Sequence, residues 1–172
     1  MTTNTFPVSH DAEQAARVRK AIAGRSFATI SSVSAAGFPH AAGVIYVPIG
    51  DDLYVHTMRS SRKARNVAAN DRVGIVIPVR KLPVGPPFTV QFQARAEVLA
   101  MDDPEIVAQV ETGRLKKITG HGELDEADGC FLRIRPVGTV HTYGIGVSAL
   151  ALAKDPLHNG ARSVRLSRSE ES

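Results

Sequence analysis

A chain of 172 residues, 43% hydrophobic and 22% charged, suits one ordinary soluble domain that buries its own core, and excludes a disordered or fibrous protein. No stretch approaches the roughly 18 uninterrupted apolar residues of a membrane helix, and residues 1–10 have neither the basic leader nor the apolar run of a signal peptide. The formal charge of +4 is modest for a nucleic-acid binder, and the lone Cys130 excludes an internal disulfide or a multi-cysteine zinc site. A cytoplasmic location fits this composition.

In chain order, Asp11 to Ala23 reads as a helix: alanine-rich, acidic at its start, basic late, and stopped at Gly24. Phe27 to Val33 alternates apolar and small polar residues, as a half-buried strand does. Residues 34–39 supply turn chemistry, His40 to Val47 is a second β-branched run, and Leu53 to Thr57 returns as a third strand after a turn at Pro48 to Asp52. Two hairpins in series predict a meander.

The composition of Ser61 to Asn70 then switches to helical, and Arg72 to Val79 is β again. Residues 80–87, with three prolines, read as an exposed loop. Phe88 to Leu99 is the longest alternating run and predicts a long strand with one wet face. A capping acid, Pro104 and Gly113 bracket a short helix over Asp102 to Gly113. Cys130 to Pro136 and Val137 to Tyr143 read as the last two strands, with Cys130 a buried packing residue. Residues 1–10 and 155–172 read as flexible tails on a single domain, the second loose or docked on a partner subunit. About six or seven strands with few helices predict a mainly β protein closed into a barrel, which removes exposed strand edges.

Positive charge bunches at Arg59, Arg62, Lys63, Arg65 and Arg72, whereas acids gather between Asp102 and Asp128. The stretch Thr57 to Asn66 joins a strand end to a helix start, where open backbone N–H groups carry about half a positive charge and favour anions. Ser60 and Ser61 can cap or donate, Arg62 offers a planar fork for phosphate oxygens, and Lys63 adds a point charge. Arg65 and Asn66 lie about one helical turn further on. A capped surface helix with solvated basic residues has the same composition. The strands before and after this segment are what favour a phosphate cradle. Nucleic-acid binding has less support, because aromatics are only 5% of the chain and tryptophan is absent.

The run from Tyr54 to Ile77, with Ser61-Arg62-Lys63 followed by a short helix and Asn70-Asp71-Arg72-Val73, resembles the core of the pyridoxamine 5′-phosphate oxidase-like, flavin-binding split barrels. Phe27 to Ile30, the turn at Gly37 to His40, and Val44 are similar to that family's opening hairpin. The resemblance implies a six-stranded antiparallel split barrel, a homodimer, and FMN bound across the dimer interface for hydride transfer with a small substrate. It implies that Arg62 and Lys63 hold the phosphate with Ser61 and Ser60, while Thr57 and the nearby backbone approach the ring system; His56, next to Thr57, is separately the histidine expected to touch a cofactor. Lys63 and Asn66 also match a Lys-x-x-Asn pattern of a sister group that binds the deazaflavin F420, so FMN or F420 is the expected cofactor, FMN first. A non-enzymatic flavin or haem carrier is the alternative, since the fold hosts both.

Pyridoxamine phosphate oxidases proper end in an arginine-rich segment containing tryptophan. This chain has no tryptophan, and Arg165 and Arg168 match that segment only superficially, so vitamin B6 oxidation is not expected. No catalytic acid, base or nucleophile is singled out, because the flavin itself carries the hydride. His40, His56, His121 and His141 read as structural, with His56 nearest the cradle, and Tyr143 as a barrel packing residue.

Overall fold

The computed structural model describes residues 8–9, 12–79 and 88–166. Six long strands carry the architecture: β2 (Phe27–Val33), β3 (Pro39–Ile45), β5 (Asp52–Met58), β6 (Arg72–Val79), β7 (Phe88–Leu99) and β8 (Gly129–Tyr143). Their lateral order is β3-β2-β6-β7-β8-β5, antiparallel throughout, a curled sheet that is open between β3 and β5 among the described residues. Two minor strands, β1 (Val8–Ser9) and β9 (Ala161–Arg165), extend the sheet beyond β8, and a third, β4 (Val47–Ile49), pairs with β5. This is the mainly β split barrel.

The concave side is filled by inward residues of every long strand, among them Ile30, Leu53, Ile75, Ile77, Leu132 and Ile134, each no more than 1% exposed. Helix α1 (Ala12–Ala23) adds Val18 and Ile22 to this core. A second cluster, built from Tyr54, Leu99, Ile106, Leu115, Ile118 and Phe131, lies beneath helix α3 (Pro104–Glu111). The alternation of β7 is visible as a strict succession of buried and exposed residues from Val90 to Glu97.

The expected meander is not what forms. β2 and β3 make one hairpin and β4 and β5 another, but the free edge of β2 takes β6, and β5 takes β8. Tyr46 separates the hairpins: it is fully buried, and its hydroxyl donates to the Ile22 carbonyl at 2.7 Å. An aromatic anchored in the core at that point carries the chain across the seam of the barrel.

The two expected last strands are one. β8 runs unbroken through Pro136, because at that point one of its edges changes partner. Its β5 pairing ends at Ile134 and its β9 pairing begins at Thr139, so the missing N–H of proline interrupts no continuous ladder. On the other edge, Phe92 pairs Val140 and Gln93 pairs Val137, which leaves Gly138 and Thr139 as a bulge, with Gly138 at φ +71°. The segment expected as a flexible tail from residue 155 is also structured as far as Arg165: helices α4 (Ala149–Lys154) and α5 (Pro156–Asn159) lead into β9, paired to β8 and β1. Its β-branched Val164 is 1% exposed in the main core, which ties the segment down despite its polar neighbours. The predicted loop 80–87 lies outside the described residues. No helix among those described is long and apolar enough to cross a membrane.

Candidate functional site

The end of β5 and the start of helix α2 (Arg62–Ala69) form a tight corner against the start of β8. Thr57 pairs Cys130 across the ladder, and Met58 pairs Gly129. The Ser61 N–H donates to the Met58 carbonyl at 3.0 Å, closing the turn, and the Ser61 hydroxyl accepts from the Ala64 N–H at 3.3 Å as the helix cap. Thr57, 8% exposed, places its hydroxyl 3.3 Å from that of Ser61. The sequence folds this way because Ala64 and Val67 turn one face of α2 into the core, leaving Arg62 and Arg65 outside.

Arg62 is exposed and Lys63 half-buried at the first turn, and neither makes a salt bridge with a described residue. Ser60 is held by a residue that sequence reasoning missed. Asp128 accepts from the Ser60 N–H at 3.1 Å through its carboxylate and from the Arg59 N–H at 2.7 Å through its carbonyl. Hydrogen bonds from Ser60, with the nearby Arg59 charge, hold the Asp128 carboxyl below its usual range. Asp128 belongs to the acidic run of the sequence, and nothing in its spacing to Ser60 signals the contact, which spans 68 positions.

Asn66 and His56 face elsewhere. Asn66, 6% exposed, donates its amide to the Ser32 hydroxyl at 3.0 Å, which fastens α2 to β2. His56 stacks edge-on to Phe131 with ring centroids 5.3 Å apart, its buried Nε2 lacks a hydrogen-bond partner among the described residues, and burial lowers its pKa against the opposing pull of Glu123 and Glu126. The corner thus gathers Thr57, Ser60, Ser61, Arg62 and Lys63. Asn66 supports it from inside, and His56 lies one residue before Thr57 on β5. Among the described residues no group of three His, Cys, Asp or Glu side chains is arranged to hold a metal ion.

The arrangement suits an oxyanion. Two cations without acid partners among the described residues flank a capped helix start, and the Asp128 carboxylate on the Ser60 N–H shows that this backbone already donates to one. A phosphate-bearing cofactor fits these donors, with Arg62 and Lys63 supplying charge and the Ser61 hydroxyl a neutral contact.

Residues 15–139 match the sequence profile of the family described as Pyridoxamine 5′-phosphate oxidase. No curated protein matches the chain in sequence. Among solved structures, the chain is similar to HutZ, the haem storage protein from Vibrio cholerae, at a TM-score of 0.63 and 20% identity over 76% of this chain and 95% of that one. It is similar to a haem-binding protein from Mycobacterium smegmatis, at 0.64 and 22% identity over 81% of this chain and 56% of the other. A third likeness is to an FAD-binding protein from Mesorhizobium loti, at 0.58 and 18% identity over 72% and 88% respectively. At these identities the likeness is one of fold.

Proposed function

Because the chain belongs to the pyridoxamine 5′-phosphate oxidase family, we propose that it binds a flavin phosphate at the corner of β5 and α2 and works as a cytoplasmic flavin-dependent oxidoreductase, with FMN ahead of F420. The observation that carries this reading is the pair Arg62 and Lys63, unpaired with any acid among the described residues, at the capped start of α2. When bound, the flavin supplies hydride transfer. The chain's own residues bind and orient it. Arg62 and Lys63 would neutralise the phosphate and Ser61 would donate to it, while Thr57, fixed by the β5–β8 ladder and the Ser61 hydroxyl, would set the approach toward the ring. Asp128 would compete with a phosphate oxygen for the Ser60 N–H. The Lys-x-x-Asn match keeps F420 as the alternative, although Asn66 is committed to Ser32.

The cradle is open to solvent on one side, with Arg59, Ser60, Arg62 and Arg65 exposed, so we take the working form to be a homodimer whose second subunit covers the cofactor. The exposed pair Phe27 and Ile45, partners across the β2–β3 ladder and 50% and 56% accessible, supports an apolar interface.

A second reading, a flavin or haem carrier without turnover, draws on the likeness to the two haem proteins. The purified protein's absorption spectrum, with mass spectrometry of any released cofactor, separates the two. The Arg62→Ala, Lys63→Ala double variant is expected to lose FMN affinity by at least a hundredfold while keeping its melting temperature. Unchanged FMN binding in that variant sinks the site assignment. FMN that binds but accepts no hydride from any nicotinamide or deazaflavin donor favours the carrier.

A further inference from the structure

The turn from Glu126 to Gly129 leads into β8 and carries Asp128, the residue that holds Ser60 and Arg59 at the cradle. Directly against this turn lies His56, whose buried Nε2 has no hydrogen-bond partner among the described residues. We propose that His56 is a proton-operated control of the cradle: on taking a proton it draws the turn toward itself, loosens Asp128 from Ser60, and so strengthens the hold on a cofactor phosphate. The effect on the cofactor rests on the flavin reading of the corner, whereas the movement of Asp128 does not.

Three observations carry the proposal. First, ring and turn are in close contact. The His56 Nε2 and the Glu126 carbonyl meet on the same side of Gly129, where a Cβ would lie 3.1 Å from the nitrogen and 2.8 Å from the oxygen. Only glycine lets them close up there. That carbonyl accepts from the Gly129 N–H at 2.9 Å and closes the turn. Second, the charges acting on the ring are of one sign. Burial disfavours its protonated form, and Glu123, in the 3-10 turn Glu123–Asp125, and Glu126 pull the other way. Phe131 and Gly129, against the ring on β8, are neutral, and Glu105 of α3 is taken up by Tyr54 and Arg133.

Third, the oxygens on hand for a new Nε2–H all belong to one segment. They are the Glu126 carbonyl and the Glu123 and Glu126 carboxylates, and an N–H left buried without an acceptor is costly. Meeting the proton therefore pulls on the segment from Glu123 to Gly129. Asp128 sits inside it, bonded to the Ser60 N–H at 3.1 Å and the Arg59 N–H at 2.7 Å. The β5–β8 ladder ends at Met58 and Gly129, so the turn lies beyond its last rung. A loosened Asp128 returns the Ser60 N–H to the cradle and takes a negative charge away from it.

The test follows the amide and histidine ring signals of the labelled full chain by NMR from about pH 8 to about pH 5, without cofactor. We expect the Ser60 amide to shift with the same midpoint as the His56 ring. The shift should vanish in His56→Phe, or in His56→Gln should the first not fold. It should vanish too in Asp128→Asn, where the ring still titrates. It should persist in His121→Gln, which removes the exposed histidine beside Glu123. The Asp128 carboxyl, held below its usual range, titrates outside this window. FMN supplies the second readout. Its affinity should rise from neutral to acidic pH relative to His56→Phe by about fivefold or more, the lower end of ordinary coupling between sites. Titration of the phosphate itself is common to both proteins and cancels. The proposal is overturned by a His56 ring that takes no proton in this range, by a Ser60 amide that stays still while the ring titrates, or by a Ser60 shift that survives the loss of His56. An FMN affinity whose pH dependence is the same in His56→Phe overturns it equally. A Ser60 amide that follows His56 in a protein that binds no FMN upholds the movement of Asp128 and overturns the flavin reading instead.

Discussion

Two charge clusters stand on the same β5–β8 ladder, three residues apart, and they are built in opposite ways. At Tyr54, paired with Arg133, the charges are closed: Arg133 donates to Glu97 at 2.6 Å and also to Glu105, and the Tyr54 hydroxyl donates to Glu105 as well. At Thr57, paired with Cys130, they are open, with Arg62 and Lys63 presented at a helix start without an acid partner among the described residues. The closed cluster ties α3 and its apolar cluster to the barrel. The open one holds nothing in place. A fold that needs a cation surrounds it with acceptors, so cations left unpartnered at an anion-favouring helix start are available to a ligand.

The largest expected effect tests the closed side. Arg133→Ala leaves Glu97 and Glu105 facing each other unneutralised, and should lower stability by about 2 kcal/mol, given that Glu97 is largely solvated. On a domain of this size that is a fall of roughly 4–8 °C in melting temperature. Urea unfolding of Arg133→Ala beside the Arg62→Ala, Lys63→Ala variant makes the comparison direct, since the latter should stay within about 0.5 kcal/mol of the parent. Equal losses in the two variants erase the distinction.

Ser61 sharpens the open side, because its hydroxyl also caps α2. Ser61→Ala removes the cap of α2 and should cost about 1 kcal/mol, with Ser61→Asp restoring most of it. If Ser61→Asp also restores stability but weakens FMN binding more than alanine does, the cap and the phosphate contact share one oxygen position.

The smallest effect concerns His56. Burial lowers its pKa below the ordinary value near 6.5, so the unfolded chain binds the extra proton first as pH falls. Its contribution to stability is therefore full above about pH 6.5 and is lost on acidification through the lower folded value. His56→Phe removes a buried nitrogen without a partner and should flatten the melting temperature between pH 7 and pH 5. An unaltered slope in that variant assigns the acid sensitivity to other groups.

How much was legible follows from which signals are local. The strands Phe27 to Val33, Arg72 to Val79 and Phe88 to Leu99 announce themselves by alternation, and α2 by Ser61 ahead of an apolar stripe at Ala64 and Val67. The corner at Ser60 to Lys63 is likewise written in adjacent residues. What was not legible involves partners far apart in the chain. Asp128 on Ser60, Ser32 beneath Asn66, and Ser163 against His141 leave no trace in spacing. Pro136 read as a strand end because its tolerance depends on where β5 stops and β9 begins. The segment to Arg165 read as a tail because a single buried Val164 outweighs its polar surroundings only once β8 is there to receive it.

By itself, then, the sequence determined the mainly β class and the capped basic corner, since periodicity, capping and charge act between near neighbours. Only the tertiary structure decided that β3 does not pair β5, that β8 is one bulged strand, and that the turn carrying Asp128 lies against His56. Those outcomes depend on which strand edges find each other, and that is settled by burying a shared core rather than by any local preference.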